Sequence, residues 1–61
     1  MNETIIPIDR WYRDSHGVPV HVIGWDYEHA QVIFKREGYE HECMQPLRYF
    51  RTKFTRIRDD D

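Results

Sequence analysis

The feature that most constrains this chain is the way in which turn signals divide it into short segments. The run DSHG at 14–17 has Asp14 first and Gly17 fourth, as a type I turn prefers. A second turn signal, EG, stands at 37–38. Between these turns, apolar residues alternate with polar ones, which is typical of half-buried strands. The sequence therefore predicts a series of short antiparallel strands.

Alternation decides which side chains share a face in most of these strands. Val18, Val20 and Val22 fall on one face of the second strand, and Val32 and Phe34 fall on one face of the third. Pro19 places the second strand at an edge or near its start. Alternation does not decide which face of the first strand points inward, because Trp11 and Tyr12 fall on opposite faces. We place strands at 8–13, 18–24, 31–36 and 39–43, with a loop at 25–30 around Asp26.

The hydrophobic period changes at Pro46, a residue favoured at the first position of a helix. Beyond it, apolar side chains follow at steps of three, four and three, which is typical of one stripe along a helix. These residues are Leu47, Phe50, Phe54 and Ile57. The pattern predicts a C-terminal helix. The alternative is a short helical turn at 46–51 followed by a strand through Phe54, because threonines and aromatics are poor helix formers.

A chain of 61 residues forms one small domain and buries only about 60% of its unfolded surface. We predict a flexible N-terminal arm at 1–7, a single domain at 8–58 and an acidic tail at 59–61. The fold class is mainly β (α+β). The architecture is a small antiparallel SH3-like barrel, or a curled four-stranded sheet with a C-terminal helix.

Charge is distributed unevenly along the chain. Residues 1–45 carry four Lys or Arg against eight Asp or Glu, whereas residues 46–58 carry five cations and no acid. The cations of this basic segment are Arg48, Arg51, Lys53, Arg56 and Arg58. In a helix they could bind phosphates, contact a protein, form a solvated face, or pair with the acidic strand at 37–42.

Aromatic residues are more numerous than a core of this size can bury. Nine of the 61 residues are Phe, Trp or Tyr, so we expect several of them at the surface. Exposed Trp and Tyr beside Arg are the composition of a protein-binding surface. The predicted partner-binding residues are Trp11, Trp25, Tyr27, Arg48, Arg51, Lys53, Arg56 and Arg58.

No residue pattern indicates catalysis, and we expect no catalytic, cofactor-binding or metal-binding residues. His41, Cys43 and His21 could meet on neighbouring strands and bind zinc, but no second ligand motif supports them. Cys43 is the only cysteine, which excludes an internal disulfide. No apolar run approaches the ~20 residues of a membrane span. We therefore expect a cytoplasmic protein that is not an enzyme and does not bind membranes.

Three runs carry a resemblance to a known family: IDRWYRDSHGVPVHVIGWD, VIFKREGYEHEC and PLRYFRTKFTRI. Together they resemble a family of short proteins from lambdoid phages and their enterobacterial prophages, the domain-of-unknown-function 4222 family. REGYEHEC at 36–43, with Pro46 and Leu47, is the most specific part. The resemblance implies a phage accessory protein acting in the bacterial host, and it supplies no site residues.

The sequence thus favours a non-enzymatic binding module that engages a host or phage protein. The alternative is a nucleic-acid-binding module that places the cations of the basic segment on phosphates. A third possibility is a structural role in assembly, with dimers formed through sheet edges.

Overall fold

The computed structural model describes residues 4–57 and contains five strands and one helix. The strands are β1 (Ile5–Arg13), β2 (Pro19–Asp26), β3 (Gln31–Arg36), β4 (Glu42–Pro46) and β5 (Thr55–Ile57); the helix is α1 (Leu47–Lys53). All strand pairs are antiparallel, in the order β4-β3-β2-β1-β5. The prediction of a mainly β protein with a curled antiparallel sheet is therefore confirmed, with five strands instead of four.

Two carboxylates fix the turns at the ends of β2. Asp14 Oδ1 accepts hydrogen bonds from the backbone N–H of His16 and of Val18, at 2.8 and 2.9 Å, which confirms the turn predicted at 14–17. At the other end, Asp26 Oδ1 accepts the N–H groups of Glu28 and His29 at 3.2 and 3.3 Å. The loop predicted at 25–30 is therefore only a turn at 27–30, because β2 continues through Asp26.

Two register shifts curl the sheet and change which residues face the core. Val22 pairs with Phe34 but Gly24 pairs with Ile33, so Ile23 is an extra residue in β2. Beyond this bulge the opposite face of β2 turns inward, and Trp25 joins the side of the sheet that carries Val22. A second shift in β1, between Pro7 and Arg10, bends the sheet at the same level.

The core lies between one face of the sheet and α1. The buried residues of this core face and of the helix end are Val20, Val22, Val32, Phe34, Phe50 and Phe54. The prediction that Val20 and Val22 share one strand face, and that Val32 and Phe34 share another, is confirmed. Val18, which was expected on the same face, is 43% exposed because it precedes β2.

The helix is shorter than the apolar stripe predicted. It ends at Lys53, where Phe54 is extended (φ −117°, ψ 144°) and donates its N–H to the Phe50 carbonyl. Residues 55–57 then pair with β1, with Ile57 opposite Trp11. The continuous helix is therefore wrong, and the alternative of a helical turn followed by a strand is nearer, although the strand follows Phe54. Extended pairing is favoured because Thr55 and Ile57, which are both β-branched, suit a strand better than a helix.

Two other boundaries differ from the predictions. β1 begins at Ile5, so residues 5–7 belong to the sheet rather than to the arm predicted at 1–7. Ile5 covers Gly24, where an added Cβ would lie 3.0 Å from the Ile5 Cγ2 atom. β4 covers residues 42–46 instead of 39–43, because residues after the positive-φ turn residue Gly38 extend the loop.

Candidate binding groove

An open groove lies between α1 and the stretch of β1 from Ile8 to Tyr12, above the core face of the sheet. Its volume is about 340 Å³. Apolar side chains from three strands and the helix form most of its surface: Ile8, Val22, Trp25, Val32, Leu47 and Phe50. Such an apolar concavity is the usual form of a binding site in a small protein.

The groove exists because α1 covers the two halves of the core face unequally. Near the end of the helix, Phe50 and Phe54 stack with ring centroids 4.2 Å apart and interplanar angle 5°. Phe34 packs on both rings, and Tyr12 meets Phe50 edge-on at 4.9 Å. No comparable aromatic stack closes the first turn of α1 within residues 4–57, where Leu47 is only half-buried. The core face therefore stays open there.

Two arginines give the groove a positive charge. Arg10 on β1 and Arg51 on α1 line it, and no Asp or Glu is among the lining residues in the described part of the chain. Within residues 4–57, the Arg10 guanidinium donates only to the Asp9 carbonyl oxygen, at 3.0 Å. Arg51 has no side-chain hydrogen bond or ion pair with any residue between 4 and 57. The groove thus combines an apolar floor with two available cations.

The three predicted aromatic residues lie in three different places. Trp25 lines the groove. Trp11 is on the outer face of the sheet, 41% exposed and stacked on His21 with ring centroids 4.5 Å apart. Tyr27 is in the turn after β2 and is 56% exposed. The structure therefore does not unite them in one surface.

The predicted cations are also separated. Arg51 faces the groove, whereas Lys53 borders a smaller cleft of about 160 Å³ beside Asp14. Arg48 lines neither depression, and Arg56 lies in β5. Arg58 lies outside the described residues. The basic segment is therefore not one continuous helix, because α1 ends at Lys53 and Arg56 lies in β5.

Among the residues that the structure describes, the cations of the basic segment do not pair with the acidic residues at 37–42. Arg48, Arg51, Lys53 and Arg56 form no ion pair within the described residues. Their charges are accordingly available to a partner or to solvent.

Sequence reasoning missed Arg10, Ile8 and Tyr12 as groove residues. Their spacing of two along β1 was visible and places them on one strand face. What could not be read was which face points inward, because the flanking Trp11 is equally apolar.

Two ion pairs stabilise the turns at the two ends of β2. Arg36 donates to Asp14 Oδ2 at 2.8 Å, and this bond, with the turn N–H groups, lowers the pKa of Asp14 to about 2. At the other turn, the His29 ring lies 2.9 Å from Asp26 Oδ2. This hydrogen bond lowers the pKa of Asp26 and raises the pKa of His29.

The residues considered for zinc do not converge. Cys43 packs against the core cluster, whereas His21 stacks on Trp11 on the opposite face and contacts Asp9 Oδ1 at 2.6 Å. His41 lies before β4, against the ring of Tyr39. Residues 4–57 contain no group of three His, Cys, Asp or Glu side chains arranged to bind a metal.

The fold defines a small, mainly β protein built on a curled antiparallel sheet with one short helix. The chain belongs to the family described as a domain of unknown function (DUF4222), whose model matches residues 8–58. The match confirms membership of the domain-of-unknown-function 4222 family that the sequence resembled, and the family's description states no activity. Comparison with curated proteins found no match, and comparison with solved structures found none. In the described part of the chain, no helix is long and apolar enough to cross a membrane.

Proposed function

We propose that this chain is a non-enzymatic binding module that engages a host or phage protein through the groove beneath α1. The observation that carries the proposal is the open apolar groove with Arg10 and Arg51 at its walls. A chain of this size gains stability by closing its core, so an uncovered part of that core is costly. A partner side chain that fills the groove would bury the surface that α1 leaves open.

The biological setting is part of the same proposal. The resemblance of REGYEHEC and the surrounding runs to lambdoid phage and prophage proteins supports an accessory role in the bacterial cytoplasm. An SH3-like barrel is the proposed fold. It is supported by the connection of a four-stranded meander, a short helix and a fifth strand that returns to pair with β1.

Capture experiments with matched variants test this function. Tagged wild-type protein is incubated with host lysate beside Arg51→Glu and Arg10→Glu, which reverse the charge at the groove. Arg48→Glu is the control for Arg51, since Arg48 is on the same helix but does not line the groove. Lys35→Glu is the control for Arg10, since Lys35 pairs with His21 in the sheet, away from the groove.

The proposal predicts a protein that wild type and both controls capture and that both groove variants lose. Binding of the purified partner is then measured for all five proteins. Equal capture by every variant, or no captured protein, would contradict a protein-binding role for the groove.

A nucleic-acid-binding module is the second candidate, because Arg48, Arg51, Lys53 and Arg56 have no ion-pair partner within residues 4–57. Arg58 was predicted to contribute as well. Fluorescence anisotropy with labelled duplex and single-stranded DNA tests it. Binding must weaken with salt, with a log-log slope of about −0.9 per phosphate contact on duplex DNA. It must also weaken in Arg48→Glu as much as in Arg51→Glu, whereas binding that ignores salt would eliminate this candidate.

A further inference from the structure

We infer that the partner presents an acidic peptide segment with one aromatic or large aliphatic side chain. That side chain enters the groove against Trp25, and carboxylates beside it bind Arg10 and Arg51. This inference rests on the proposed function, because it specifies the chemistry of the partner at the same groove.

The size and lining of the groove define the anchor. A volume of about 340 Å³ is at the lower end of the range for small-molecule sites and has room for one large side chain. Trp25, Leu47 and Ile8 are each half-buried, so an apolar group placed among them would remove their remaining exposed surface from water. A few side chains buried in well-packed, desolvated pockets supply most of the affinity in protein interfaces.

The charges define the residues that flank the anchor. Guanidinium groups are donors only, and both groove arginines lack a carboxylate partner within residues 4–57. A carboxylate of the partner would make charge-assisted hydrogen bonds with them, and two parallel bonds where the geometry is bidentate. With no acid among the lining residues that the structure describes, an acidic segment meets attraction from both walls.

The same lining disfavours a nucleobase as the inserted group. Bases are recognised through both donor and acceptor atoms on their edges. In the described part of the chain, no Asp, Glu, Asn, Gln, Ser or Thr side chain lines the groove, so none could accept a hydrogen bond from a base. Tyr12 supplies the only hydroxyl among those lining residues. An apolar side chain satisfies this surface better than a base does.

Three labelled peptides on a Gly-Ser background test the inference by fluorescence anisotropy with the full chain. They carry Glu-Glu-Phe-Glu-Glu, its amide analogue Gln-Gln-Phe-Gln-Gln, and Glu-Glu-Ser-Glu-Glu, which lacks the anchor. The acidic peptide with Phe is expected to bind most tightly. The amide peptide is expected to bind at least about tenfold more weakly, since it loses the charge-assisted bonds. The peptide with Ser is expected not to bind.

The variants locate the binding. The affinity for the acidic peptide should fall at least about tenfold in each groove variant, Arg51→Glu and Arg10→Glu. It should change less than about threefold in the controls, Arg48→Glu and Lys35→Glu. Circular dichroism of each variant confirms that it is folded. Trp25→Ala is not used, because Trp25 packs against the core and its removal could unfold the chain.

Four results would overturn the inference. They are equal binding of the acidic and amide peptides, binding of the peptide with Ser as tight as that with Phe, no binding of any peptide, or equal losses in groove and control variants. A single-stranded DNA that displaces the acidic peptide with higher affinity would also overturn it.

The proposed function fails separately, when the lysate yields no protein whose capture depends on Arg10 and Arg51. A captured partner that contacts the groove through a neutral segment would refute only the acidic chemistry.

Discussion

The helix α1 covers one half of the core face completely and leaves the other half partly uncovered. Over the half near Phe54, three phenylalanine rings and the Arg36 guanidinium form a closed stack, with Arg36 5.6 Å from the Phe34 centroid and 6.0 Å from the Phe54 centroid. Over the half near Trp25, the same helix leaves a groove of about 340 Å³. We call these the closed half and the open half. The closed half supplies the packing that stability requires, which leaves the open half available for binding.

The ion pair at each end repeats this difference. Asp14 in the closed half is paired with Arg36, which stays charged at every physiological pH. Asp26 is at the open end, close to the point where the Leu47 N–H donates to the Ala30 carbonyl at 2.8 Å. Its partner is the His29 imidazole, whose pKa the Asp26 carboxylate raises above the ordinary value of 6.5. The closed half is therefore held by a permanent charge and the open half by one that pH can remove.

The largest expected effect comes from opening the closed half. Phe34→Ala removes a side chain that is 1% exposed and contacts both helix phenylalanines. We expect a loss of about 3–5 kcal/mol in the free energy of unfolding, enough to unfold much of a domain this small. Leu47→Ala in the half-buried open half should cost about 1–2 kcal/mol. Urea denaturation compares them, and equal losses would remove the distinction between the halves.

Breaking the Asp14 pair should destabilise the protein less than Phe34→Ala does. Arg36→Met keeps the stem over Phe34 but leaves the Asp14 carboxylate without its cation. The urea midpoint at neutral pH should fall, and Asp14→Asn in the Arg36→Met background should change it little further. The pKa of Asp14 is lower in the folded state than its ordinary value of 3.8, so the ionised carboxylate stabilises the folded state at every pH above 3.8. That contribution is lost as pH falls toward about 2, so wild type should lose stability there more steeply than Arg36→Met.

The Asp26–His29 pair should contribute less to the stability than the Asp14–Arg36 pair. The contribution of His29 should fall as pH rises, whereas that of Asp14 falls as pH is lowered. The pKa of His29 is raised above its ordinary value of 6.5, so its contribution is fully present below that pH. It is lost as pH rises through the folded-state pKa, whereas the contribution of Asp26 is lost in acid. Stability from this pair is therefore greatest between about pH 4 and 6.5.

His29→Gln tests this prediction, with His16→Gln as the control from the other turn. The difference in thermal midpoint between wild type and His29→Gln should shrink as pH rises from 6 to 9. A difference that stays constant over this range would show that protonation of His29 does not stabilise the turn.

The smallest expected effect on stability is at Arg51, a charged residue on the wall of the groove. Arg51→Glu should change the free energy of unfolding by no more than about 0.5 kcal/mol, because Arg51 is exposed and has no partner within residues 4–57. Urea denaturation checks this beside Arg48→Glu. A loss above about 1 kcal/mol in Arg51→Glu alone would assign Arg51 a structural role.

The inward faces of β2 and β3 were largely predictable from the sequence, and the wall of the groove at Trp25 was not. Val20 and Phe34, like the groove-lining Val22 and Val32, follow a local alternation, and local alternation fixes which face a strand buries. Trp25 joins the core face only because Ile23 forms a bulge. That bulge depends on the register in which β2 pairs with β3, which composition and period do not encode.

The end of the helix shows the same limit. A period of three and four residues continues through Ile57, but β1 offers a strand edge that Thr55, Arg56 and Ile57 can pair with. Tertiary pairing then overrides the helical period. As a result Arg56 lies in β5 and not on the helix. Arg51 reached the groove because it is in the part of the helix that does form.

The two tryptophans lie on opposite faces of the sheet, so their indole N–H signals distinguish the binding face in one NMR titration. Isotope-labelled wild-type protein is titrated with the Glu-Glu-Phe-Glu-Glu peptide, with Arg51→Glu as the control. If the open half is the binding site, the Trp25 indole signal shifts progressively, the Trp11 signal stays in place, and Arg51→Glu abolishes the shift. A shift of Trp11 without Trp25, or a Trp25 shift that survives Arg51→Glu, would contradict the account.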